Sequence, residues 1–136
     1  ERYSSIKPFM EKELEFVKEN LYTKTLSNRK IYIPNIKSNN SFERSHAERS
    51  ANNASIQGTA AEIIKLAMIE TDKYIIDNNI EANLLLQIHD ELVFEVEENI
   101  AEDFSKKISE IMENVYSLNV PLVVDYKIAD NWLDAH

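Results

Sequence analysis

Apolar residues near the start of the chain recur at helical spacing. Ile6, Met10, Leu14, Val17 and Leu21 predict an amphipathic helix capped by Ser5, with Pro8 tolerated in its first turn. The pattern then shortens. Thr25-Leu26 and Ile31-Tyr32-Ile33 flank Asn28-Arg29 and predict a short hairpin, followed by a polar loop over Asn35 to Ser41. Helical spacing returns from about Phe42, and a second helical stretch runs from about Ile56 to Asp77. The second has Ile56, Ala60, Ile63 and Ala67 on one stripe, widened by Ile64, Met68 and Ile75, and Asn78-Asn79 ends it.

Two strand-like runs come next, Leu84 to Ile88 and Leu92 to Val96, with His89-Asp90-Glu91 between them. Asn99 with Glu102 resembles a capping box opening a helix whose apolar face is Ile100, Phe104, Ile108, Ile111 and Val115. Pro121 precedes a predicted strand with Leu122, Val124, Tyr126 and Ile128 on one side and Asp125 and Lys127 on the other. Asn131-Trp132 suggests a docked terminus. This order of elements predicts an α+β domain with an antiparallel sheet packed against helices on one face.

Composition narrows the chemistry. The 136 residues are 43% hydrophobic, enough for a real core. Without cysteine, the chain has neither disulfides nor a thiolate metal site. With one glycine it cannot build a P-loop, and it contains no Gly-x-Ser-x-Gly elbow. Fourteen Asn and sixteen Ile point to codon bias from an AT-rich genome. No run approaches membrane-spanning length and no signal peptide is present, so the expected setting is soluble and cytoplasmic. The start at Glu1 rather than a methionine suggests a fragment or a processed chain.

The formal net charge is −9, but it is unevenly spread. Residues 1–50 hold ten Lys/Arg against seven Asp/Glu; residues 51–136 hold five against seventeen. A basic segment beside an acidic body suits a protein that meets phosphates with one part and metal ions with another.

Three places carry candidate chemistry. The hairpin tip has an imidazole and two carboxylates where tight turns favour Asn-Gly or Asp-Gly. Carboxylates at the end of rigid strands can hold a hard cation such as Mg2+; the bland alternative is a solvated polar turn. Side chains alternate along a strand, so one of Asp90 and Glu91 is expected to be the principal ligand and the other ancillary. A two-metal phosphoryl-transfer site, with ions roughly 4 Å apart, needs further carboxylates from elsewhere.

Arg49, Asn53 and Gln57 are spaced i, i+4, i+8 and drift by only about 80° on a helix, forming one polar stripe. Such donors can check base-pair geometry through the acceptors that every pair offers in the minor groove; otherwise the stripe is an ordinary solvated face. Gly58, alone in a helical pattern, marks either a close approach or a break between two helices. His46 and His136 show no partner pattern and read as surface or packing residues.

Three colinear segments resemble the C-terminal end of family A DNA polymerases, the bacterial DNA polymerase I type. They are Thr25-Leu26-Ser27-Asn28-Arg29-Lys30-Ile31-Tyr32-Ile33-Pro34, Ala47 through Ala61, and Gln87-Ile88-His89-Asp90-Glu91-Leu92-Val93-Phe94-Glu95. The likeness continues to Asn131-Trp132 and His136 and covers essentially the whole chain.

The resemblance implies a partial polymerase palm. His89-Asp90-Glu91 would be its motif C β-hairpin, with Asp90 a ligand of two catalytic Mg2+ ions, Glu91 supporting it and His89 near the primer terminus. Arg49, Asn53 and Gln57 would contact primer–template DNA, and Lys24, Arg29 and Lys30, in the segment leaving the fingers, would add DNA contacts. Residues 1–50 would finish the fingers and 51–136 form the palm. The partners implied are primer–template DNA and a deoxynucleoside triphosphate, with no membrane.

The family's motif A strand and motif B helix lie N-terminal to this region. The chain alone is therefore expected to be inactive, to bind Mg2+ weakly and to self-associate through an exposed sheet edge. Two other readings are a single-subunit RNA polymerase palm, against which Glu91 stands where serine would follow His-Asp, and a non-catalytic DNA-binding remnant.

Overall fold

The computed structural model describes residues 3–135, so His136 lies outside them. The fold is α+β, with small antiparallel sheets packed against helices. Two compact units divide the chain, Glu1–Glu62 and Ile63–His136. Among the described residues, no helix is long and apolar enough to cross a membrane.

The first unit begins with α1 (Ile6–Asn20). Ser5 stands before it, but its side chain makes no capping bond; its carbonyl accepts the Phe9 N–H instead. Of the predicted apolar stripe, Leu14 and Val17 reach the core while Ile6, Met10 and Leu21 stay exposed. Leu21 turns the chain out of the helix at φ 67° and returns its N–H to the Val17 carbonyl.

The predicted hairpin follows, with β1 (Tyr22–Lys24) and β2 (Lys30–Tyr32) joined by a turn in which Asn28 takes φ 65°. The expected polar loop is instead a 3-10 turn over Pro34–Lys37. It buries Ile36, 1% exposed, beside Val17, Ile33, Ala47 and Ala51. A single isoleucine among polar neighbours has no period to betray it.

Helix α2 (Ser41–Asp77) is one helix of 37 residues, not two. Asn40 Oδ1 accepts the Phe42 N–H at 2.9 Å and satisfies a donor of its first turn. The predicted stripe is wrong at its start, since Ile56 is 60% exposed and Ala60 is also exposed. The buried line is instead Ala47, Ala51, Ser55 and Thr59, resumed by Ala67, Thr71 and Ile75. Small residues at four-residue steps let neighbouring chain approach the helix closely. The hydroxyls of Thr59 and Thr71 bond back to the carbonyls of Ser55 and Ala67, at 2.7 and 2.8 Å, so their burial costs little.

In the second unit, Asn79 ends α2 at φ 50°, and β3 (Ala82–Ile88) pairs antiparallel with β4 (Glu91–Val96). The register shifts between Leu84 and Leu86, leaving Leu85 as a bulge. A 3-10 turn (Glu98–Ile100) feeds α3 (Ala101–Asn114) without any side-chain cap, so Asn99 does not form the predicted capping box. The predicted face of α3 does pack. Phe104 and Ile108 join Ile75 and Ala82, and Phe104 meets Phe94 edge-on with centroids 5.5 Å apart.

The predicted strand over Leu122 to Ile128 does not form. No neighbouring strand among the described residues offers it a ladder. It is tied to α3 through side chains: Glu113 Oε1 accepts the Val124 N–H at 3.0 Å, and Tyr126 donates to Glu102 at 2.9 Å. Helix α4 (Trp132–Ala135) closes the chain, with Trp132 51% exposed rather than buried in the core.

Candidate nucleic-acid and metal site

The hairpin tip is tighter than its sequence suggests. Glu91 already pairs with Ile88 as the first rung of β4, so the loop has two residues, His89 and Asp90. Two-residue loops need positive φ to match strand twist, and here His89 supplies it at 51° in place of glycine. The Gln87 side-chain amide donates to the His89 carbonyl two residues on. His89, Asp90 and Glu91 are all exposed, at the far end of strands rooted in the Phe94–Phe104 contact. Among the described residues, no three His, Asp or Glu side chains are grouped so as to hold a metal ion.

In the first unit, α2 brings Arg49, Asn53 and Gln57 together as the spacing predicts. With His46, Ser50 and Ala54 they line a shallow pocket of about 350 Å³. Arg49 is steadied by a 3.1 Å bond to Ser45 Oγ. The sequence reading missed His46 as a member of this stripe, although it sits one turn before Arg49 and two before Asn53.

Gly58 marks a close approach, not a break. The tip of the β1–β2 hairpin lies on α2 here, and a Cβ added to Gly58 would stand 2.6 Å from Ile31 Cδ1 and 2.8 Å from Thr25 Cγ2. Polar bonds lock the contact. Thr25 Oγ1 donates to Glu62 at 3.0 Å, Arg29 Nε pairs with the same carboxylate at 2.8 Å, and the Leu26 N–H donates to Thr59 Oγ1 at 3.1 Å. Partial burial alone would raise the Glu62 carboxyl. Hydrogen bonds from Thr25 and Ser27, with the charge and hydrogen bond of Arg29, outweigh it and hold the group below its ordinary 4.5. Of the three basic residues suggested as DNA contacts in this segment, Arg29 is therefore engaged with Glu62, while Lys24 and Lys30 remain exposed.

The sequence model of DNA polymerase family A matches residues 1–134. The chain belongs to DNA polymerase family A. It is 40% identical over 135 residues to DNA polymerase I of Pseudomonas aeruginosa and 42% identical over 135 residues to that of Bacillus subtilis. Each alignment takes in 99% of this chain and 15% of the relative, so the chain spans about a seventh of the length of these relatives.

Among solved structures, this family A chain is similar to the POL domain of Pol1 from M. smegmatis, in complex with DNA primer-template and dNTP. The TM-score is 0.81 at 41% identity, covering 85% of this chain and 20% of that one. The tip carboxylates and the α2 stripe both fall within the matched residues, each in its own compact unit.

Proposed function

We propose that this chain is the palm, with the end of the fingers, of a template-dependent DNA polymerase. The full enzyme joins a primer 3′-hydroxyl to the α-phosphate of a deoxynucleoside triphosphate, and pyrophosphate leaves. The observation that carries this reading is the two-residue tip presenting Asp90, with Glu91 on the adjoining rung, in a chain matched to family A over residues 1–134.

The donor set fits Mg2+ in kind, because that ion takes hard oxygen ligands and is commonly held by one or two carboxylates plus substrate phosphates. Asp90 would be the direct ligand and Glu91 the ancillary one, with further ligands from outside this chain. Two bound ions would supply the positive charge that a transferring phosphoryl group requires. His89 would stand by the primer terminus. Arg49, Asn53 and Gln57 would donate to primer–template DNA, Asn53 and Gln57 in the minor groove near the newest pair, and so align the primer end. Alignment of reacting groups is itself a large part of such catalysis.

The test is Asp90→Ala in the polymerase that contains this chain. Nucleotide incorporation should fall by at least about a thousandfold while primer–template affinity is retained. Incorporation that survives the substitution would sink the proposal.

A further inference from the structure

The β1–β2 hairpin has a face that the bonds holding it to α2 leave open. Its register pairs Tyr22 with Tyr32, Thr23 with Ile31 and Lys24 with Lys30. Opposed residues of an antiparallel pair share a face, and faces alternate along each strand. Packing shows which face is inward. Thr23 is fully buried with its hydroxyl donating to Glu13, and Ile31 lies against Gly58. Tyr22, Lys24, Lys30 and Tyr32 therefore share the outward face, where Tyr32 is 68% exposed.

That face is built at a cost. Like charges directly across a ladder destabilise it, and a two-stranded ladder of three-residue strands is marginal to begin with. Lys30 is nonetheless held over the Tyr22 ring, 4.6 Å from its centroid, and Tyr22 and Tyr32 meet edge-on at 5.8 Å. One ring backs a cation; the other stays open to solvent. The third cation nearby, Arg29, is drawn to Glu62.

We infer that this face is a binding platform for single-stranded nucleic acid, which under the polymerase reading proposed above is the unpaired template strand. Lys24 and Lys30 contact phosphates, and Tyr32 stacks on a base. A base offers its flat face to a protein ring only when it is unstacked; along its length a duplex offers edges and phosphates. Two lysines alone would suit any anion. The open tyrosine two residues along the strand from Lys30 selects a strand with exposed bases.

The experiment uses the full polymerase containing this chain and compares two DNAs by fluorescence anisotropy. One is a primer–template with about ten unpaired template nucleotides, within the usual site size for such platforms; the other is the same duplex made blunt. Tyr32→Ala should weaken binding of the overhang DNA about tenfold and leave the blunt duplex unchanged, while Tyr32→Phe retains affinity. Lys24→Gln with Lys30→Gln should lower the log–log salt slope for the overhang DNA by about 1.4, the value for two contacts on a single strand.

These residues are exposed, so unfolding should not confuse the result. An equal loss on both DNAs would reassign the face to duplex phosphates and overturn the inference, as would no loss on either. A wild-type enzyme that neither binds nor extends primer–template would refute the polymerase reading instead.

Discussion

Gly58 on α2 and Ile31 on β2 approach so closely that a methyl group cannot be placed between them: a Cβ at Gly58 would stand 2.6 Å from Ile31 Cδ1. Ile31 could swing its tip aside. Thr25 Cγ2, 2.8 Å away, is less free, because rotating that buried side chain breaks its bond to Glu62. Alanine gains about 1 kcal/mol over glycine in a helix interior, while overpacking costs about 1–3 kcal/mol. Gly58→Ala should therefore be destabilising by about 1 kcal/mol. Urea unfolding of single and double variants checks this, with Ile31→Ala expected to relieve the Gly58→Ala penalty.

The Glu62 lock should show in the acid limb of stability. Its carboxyl is held below 4.5 in the folded chain, so its contribution is present above that pH and is lost as pH falls below it. Urea midpoints of the wild type should drop in that range, and those of Glu62→Gln should start lower and change less. Glu102 is also depressed, first by its hydrogen bond from Lys106 and then by that from Tyr126, but the Lys106 pair is well exposed. Repeating the titration at high salt screens that pair and leaves the Glu62 difference. Parallel curves for the two proteins would rule the lock out.

Donors reading the minor groove should be indifferent to base identity. Gln57→Ala in the polymerase containing this chain should weaken primer extension by about two- to tenfold, the value of one hydrogen bond. The loss should be the same for all four nascent pairs, because the acceptors recur in each. Single-nucleotide incorporation against each template base measures this, and a loss confined to one base would exclude it.

Residues 1–136 expressed alone should neither extend a primer nor bind Mg2+ tightly. Among the described residues the β3–β4 sheet has two strands, and Leu85 and Leu86 are about half exposed, a combination that invites pairing between copies. Light scattering should report self-association that Leu86→Lys reduces. A monomer at high concentration, or template-dependent incorporation, would contradict these expectations.

Much of this was legible in the residues, for physical reasons. Period-3.6 and period-2 patterns located α1, α3 and both hairpins. The family resemblance over the three motifs was right, and the single glycine correctly flagged a tight approach. The failures share a cause, since each depends on something outside the local pattern. The buried line of α2 is made of alanine, serine and threonine, which carry no apolar signal. The segment Leu122 to Ile128 has the alternation of a strand, but a strand also needs a neighbour. Ser5 and Asn99 are good capping residues, but Ser5 already has helical backbone angles and Asn99 lies inside a 3-10 turn. At the candidate site, the Arg49 stripe followed from spacing, whereas the engagement of Arg29 by Glu62 joins residues 33 positions apart and has no local signature.

The extra residue at Leu85 separates two parities. At the root of the hairpin, Leu84 faces Phe94; one rung later Leu86 faces Val93, so two steps on β3 are matched by one on β4. The core sets the phase of the root, and the bulge resets it before the tip. Which residues face each other in the last rungs below Asp90, Gln87 with Leu92 and Ile88 with Glu91, is thus decided by a single inserted residue and not by the hydrophobic pattern beneath it. Deleting Leu85 would leave every carboxylate in the chain and turn the tip out of phase with its own core.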